Sequence, residues 1–139
     1  MGNRNGSRLR KFYREQVDFI FARLDAFYKE GMLPIDTYLR ICEQTGEIPD
    51  PMKMPPDRSE FPTEVQEAFL LHDLLPDRWA ESSYLGKDYS SLDTLLRVYK
   101  IEEQQQVVLF LKHIEARNST KINKELARKQ KSSGNKTKV

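Results

Sequence analysis

Between Glu47 and Pro62 the chain carries prolines at positions 49, 51, 55, 56 and 62, and this stretch limits the fold more than any other. Each proline lacks a backbone donor and biases its predecessor away from the helical region. Neither a continuous helix nor a central strand can therefore run through EIPDPMKMPPDRSEFP. The 139 residues, the length of one ordinary domain, are divided there into an N-terminal and a C-terminal part. Residues 47–61 are expected to be an extended linker. It is either a strap over a helical surface, anchored by Met52, Met54 or Phe61, or a polyproline ligand for another domain.

The N-terminal part reads as a helical hairpin over residues 8–46. Tyr13, Val17, Ile20, Leu24 and Phe27 step by 4, 3, 4 and 3, a heptad-like seam that predicts a helix from about Ser7 to Glu30. Phe19, Phe21 and Tyr28 widen that apolar face. Gly31 stands where a left-handed residue would end the helix. Pro34 then opens a second helix, to about Thr45, with Ile35, Tyr38, Leu39 and Cys42 on one face and Gly46 as its stop. The seam serves either the domain's own core or a second copy of the chain.

Residues 62–116 predict three helices. The first runs from Pro62 to Leu75, with Val65, Phe69, His72 and Leu75 on one face and Ala68 and Leu71 beside it; Pro76 ends it. The second carries Leu92, Leu95, Leu96 and Tyr99, with Ser90 expected to cap it by accepting a backbone N–H near Asp93. The third starts near Glu102 and buries Val107, Phe110, Leu111 and Ile114. The expected fold is all-α: a small bundle of about five helices, with disordered basic ends at residues 1–7 and, after a frayed helix, within 117–139.

Charge is distributed unevenly. Residues 1–14 hold five basic residues and no acid, and residues 117–139 hold eight basic residues against Glu125 alone. The body between them carries ten basic and twenty acidic residues, a net of −10 concealed in an overall +2. Cys42 is the one cysteine, which excludes an internal disulfide and fits a reducing compartment. The start NRNGSRLRKFYR has no apolar h-region, and no run approaches the ~18 apolar residues of a membrane span. A cytoplasmic protein with no membrane association is expected.

Catalytic and metal chemistry find little support in the pattern. Cys42, His72 and His113 lie far apart, without a C-x-x-C or H-x-x-x-H spacing. His72, on an apolar face, is expected to be a hydrogen-bonded core or boundary residue. Ser82-Ser83 and Ser90-Ser91 read as turn and cap residues, and Gly86 stands alone instead of in a phosphate-binding loop. No enzyme activity, metal or cofactor is expected. The basic C-terminus offers Arg117, Lys121, Lys124, Arg128, Lys129 and Lys131 to nucleic acid or to an acidic partner by counterion release. It has no aromatic for base stacking.

The only tryptophan, Trp79, is followed by Tyr84, Leu85 and Tyr89. Trp79 either plugs a gap between helices or, with those residues and with Phe19, Phe21 and Tyr28, rims a groove for an amphipathic helix of a partner. The order of an apolar helix, Trp79, Gly86-Lys87-Asp88-Tyr89, then Leu92, Leu95, Leu96 and Ile101 resembles a family of small tailed-phage proteins encoded beside the tape-measure gene. The resemblance covers residues 65–115; Ala80-Glu81-Ser82-Ser83 replaces the glycines that family often carries. It implies a tail assembly chaperone, a non-enzymatic protein of the host cytoplasm that coats a long helical structural client before tail polymerisation. The alternative expectation is a small nucleic-acid-associated or transcription-modulating protein acting through its basic termini.

Overall fold

The computed structural model describes the backbone of residues 3–29 and 33–136, with side chains over 13–29 and 33–131. Among the described residues the chain is mostly helical, with five α-helices and one two-stranded hairpin. It divides into two compact units, Met1–Glu60 and Phe61–Val139.

The first unit holds α1 (Asn3–Phe27) and α2 (Ile35–Thr45). The backbone of residues 3–7, expected to be disordered, belongs to α1, because a nucleated helix gains one hydrogen bond for each residue it adds. Leu24, Val17 and Cys42 are buried, whereas Tyr13 and Leu39 from the same predicted faces are exposed. Both helices of the expected hairpin belong to this one compact unit. Gly31 lies outside the described residues. Gly46 ends α2 as expected, at φ 74°, its N–H returning to the Cys42 carbonyl.

The proline stretch is not wholly extended. Pro51–Lys53 and Arg58–Glu60 form 3₁₀ turns, the first capped by Asp50, whose side chain accepts from the Met52 N–H at 3.0 Å. The Asp50 N–H donates to the Tyr38 hydroxyl at 3.1 Å, and Glu60 pairs with Arg23 at 3.1 Å. Met52 is exposed, so it anchors nothing.

The second unit begins at Phe61, which is buried with its ring centroid 5.7 Å from that of Phe69. Its frame is α3 (Thr63–Leu74) packed along α5 (Gln104–Lys136), with α4 (Leu92–Val98) between them in sequence. Val65, Ala68, Phe69, Leu71 and Leu75 on one side meet Val107, Phe110, Leu111 and Ile114 on the other, all buried, together with Leu96 and Ile101. The periodic faces of both helices are therefore the core. Removing these side chains from water, Ala68 apart, contributes roughly 1.5–3 kcal/mol each.

Two features depart from the sequence reading. Asp77–Trp79 (β1) and Tyr84–Lys87 (β2) pair antiparallel, with Asp77 opposite Lys87, Arg78 opposite Gly86 and Trp79 opposite Tyr84, so the all-α expectation is roughly right but misses a short hairpin. The two strands leave Leu85 without an opposite number, a bulge at which Gly86 takes φ 98°. In addition, α5 runs unbroken to Lys136, so the tail expected to fray and dissolve is one helix of 33 residues, about 50 Å long. Lys, Arg, Gln, Leu and Ala dominate residues 121–130, and these are strong helix formers. Residues 137–139 lie outside the described residues.

Candidate functional site

The hairpin is too short to stand alone, since two strands of three or four residues bury almost nothing between them. Side chains of α5 hold it instead. The Asn123 amide spans the outer edge of β2: its Oδ1 accepts from the Tyr84 N–H at 2.9 Å, and its Nδ2 donates to the Tyr84 carbonyl at 3.1 Å. Two turns earlier, Glu115 Oε1 accepts from the Lys87 N–H at 3.0 Å. Glu115, Ser119 and Asn123, spaced by four, thus present one face of α5 to β2 and satisfy a strand edge that would otherwise be open.

Glu115 is the centre of this arrangement. Its Oε1 also accepts from the Ser119 hydroxyl, and its Oε2 accepts from the Tyr89 hydroxyl, both at 3.0 Å. An added Cβ on Gly86 would stand 2.5 Å from Oε1, so only glycine lets the carboxylate approach the strand this closely. His72 of α3 is buried behind it, with Nε2 at 3.5 Å from Glu115 Oε2 and no hydrogen bond at that nitrogen. The expected hydrogen-bonded histidine is therefore buried but unpartnered at Nε2. Burial, and then the Lys87 ammonium, push its pKa below the ordinary imidazole value, and the Glu115 carboxylate pulls the other way. His72 is accordingly neutral at pH 7.

A second group closes the open end of the hairpin. The Tyr84 hydroxyl donates to Asp77 Oδ1 at 2.8 Å, and Lys87 Nζ lies 2.9 Å from the same oxygen. These two partners hold the Asp77 carboxyl below its usual range. Burial, with the neighbouring Asp77 carboxylate, pushes the Tyr84 phenol up. The Tyr89 phenol is likewise raised, by burial and by the charge of Glu115. With three donors on one carboxylate and two on the other, both acids are committed to positioning the hairpin.

What this scaffold presents is apolar. Trp79 is 55% exposed and Leu85 52%, so Trp79 does not plug a gap between helices. Its indole packs edge-to-face on the Tyr84 ring at 4.9 Å and turns its remaining surface outward. Tyr84, a candidate contact residue, is only 3% exposed and belongs to the support beneath Trp79. Tyr89 stands at the edge of an apolar groove of about 320 Å³ whose other walls are Leu92, Val108, Lys112, Glu115 and Ala116.

Of the remaining candidates, Phe19 is exposed while Phe21 and Tyr28 are half-buried, all on α1 or its end in the other unit. Arg117, Lys124, Arg128, Lys129 and Lys131 are exposed on α5, and Lys121 is half-buried. Ser90 does not cap α4: its hydroxyl and N–H both donate to Asp88, and the residue at the cap position, Ser91, makes no side-chain cap bond. Sequence reasoning missed Asn123 and Glu115, two polar residues spaced by eight on the helix that carries the core. Among the described residues no three His, Cys, Asp or Glu side chains converge as metal ligands, and no helix is long and apolar enough to cross a membrane. No family model matches the chain, and no curated protein or solved structure matches it.

Proposed function

We propose that this protein is a non-enzymatic helical adaptor or chaperone that masks apolar helical segments of a structural client, with the outer surface of the β1–β2 hairpin as its contact. The observation that carries this reading is the pair Trp79 and Leu85, each more than half exposed on a hairpin fixed from behind by Asn123 and Glu115. An aromatic anchor held in place before binding loses little entropy when a partner arrives, and tryptophan is prominent among residues that dominate interface energetics. The acidic body favours a client with basic stretches. The tail assembly chaperones that residues 65–115 resemble would make that client a long helical phage structural protein, met in the host cytoplasm.

The test uses a synthetic basic amphipathic helix as the client mimic and full-length protein. Binding should persist at about 0.3 M salt, where charge attraction between exposed groups is largely screened, because apolar burial dominates. Trp79→Ala should weaken it by roughly 30-fold or more, the size of an interface hot spot. Undiminished binding by the variant, or complete loss at that salt with native Trp79, would refute the reading.

A further inference from the structure

The unbroken helicity of α5 has an effect on its cations that a frayed tail would not have. Arg117, Lys121, Lys124, Arg128 and Lys131 step by 4, 3, 4 and 3, which in a continuous helix places all five within an arc of about 80°. The stripe is about 21 Å long, with a cation roughly every 5 Å. The rotation of α5 about its axis is fixed by Glu115, Ser119 and Asn123, whose side chains bond to each other or to β2. Ser119 lies about 200° round the helix from Arg117, so the stripe is turned away from the hairpin. Glu125 and Lys129 both fall outside the arc.

We propose that this stripe is a docking surface for the phosphate backbone of nucleic acid, separate from the hairpin and its client. The choice of occupant follows from what the stripe lacks. Protein–protein contacts are energetically centred on apolar or aromatic anchors, and every one of its five positions is Arg or Lys. Phosphate binding needs no such anchor, because neutralising phosphates releases condensed counterions. The arm also lacks an aromatic for stacking and presents Lys and Arg alone, so the contact reads charge and not base sequence. The net −10 of residues 15–116 does not prevent this, since at physiological salt its field decays over about 8 Å.

The experiment measures anisotropy of a labelled, mixed-sequence DNA duplex with full-length protein across a salt series. The expected result is binding at low salt, with log K falling linearly against log salt and little change when the duplex sequence is scrambled. The triple variant Lys121→Gln, Lys124→Gln, Lys131→Gln keeps helix-forming residues on the stripe and should lower the magnitude of that slope by about 3, near 0.9 for each phosphate contact removed. Lys129→Gln, outside the arc, should leave it unchanged, and circular dichroism of both variants should match the parent. No binding at low salt, equal slopes for the triple variant and the parent, or a Lys129→Gln effect as large as the average stripe substitution would overturn the proposal. Displacement of the duplex by poly-glutamate at equal charge would assign the stripe to an acidic protein instead.

Discussion

Replacing Gly86 with alanine tests the support of the hairpin at its tightest point. The new Cβ would meet Glu115 Oε1 at 2.5 Å, and the backbone there holds φ at 98°, which L side chains rarely adopt. The conformational part costs about 1–2 kcal/mol. Glu115 can swing aside only by giving up bonds, and the Lys87 N–H is then left without its acceptor in a partly buried place, which costs a further ~1–3 kcal/mol. A loss of about 3 kcal/mol is expected, seen in urea unfolding as a midpoint lowered by about 1–2 M. Placing Gly86→Ala in a Glu115→Ala background isolates the collision. There the carboxylate is already gone, and the substitution should cost only the conformational ~1–2 kcal/mol. Equal costs in the two backgrounds, or a cost below about 0.5 kcal/mol in the parent, would refute the claim that Gly86 exists to admit Glu115.

Other outcomes follow from the same geometry. Asn123→Ala should destabilise by about 1–3 kcal/mol by freeing both polar groups of Tyr84, and proton exchange at the Tyr84 amide should accelerate. Tyr84→Phe removes one of the two bonds that depress Asp77, so the Asp77 carboxyl should titrate at higher pH in the variant when followed by NMR. Because His72 has a folded-state pKa below its ordinary 6.5, the folded state binds fewer protons than the unfolded chain. Stability should be complete above that value and fall as pH drops below it, and His72→Gln should flatten the dependence in that window. A parent protein equally stable at pH 7.5 and 5, measured by urea midpoint, would contradict the burial of a neutral imidazole.

The legible part of this fold was the part set by helical periodicity. In α3 and α5 the residues read as core faces, from Val65 to Leu75 and from Val107 to Ile114, are the buried ones. The hairpin was illegible because its local signals are weak. DRW and YLGK are short and carry charge, AESS is not a hairpin-turn signature, and the strands depend on side chains 28 and 39 residues away. Which of its two readings Trp79 follows is not legible in the sequence for a related reason. Its exposure is decided by Tyr84 and Asn123 beneath the hairpin, and neither contact has a sequence period. The C-terminal half of α5 is expected to fray because its apolar positions thin to Ile122 and Leu126 beyond Arg117, whereas the cooperative run of Lys, Arg and Gln carries the helix through. Among the candidate contacts, Trp79, Leu85 and Tyr89 are exposed and Tyr84 is buried.

The most direct measurement is the emission of Trp79, the only tryptophan, while the basic amphipathic helix is titrated into full-length protein at about 0.3 M salt. An indole 55% exposed should emit to the red in the free protein. A saturable blue shift is expected as the client covers it, weakened when Leu85 on the paired strand is changed to alanine. A client that binds while the emission of Trp79 stays where it was would contradict the hairpin as the contact surface.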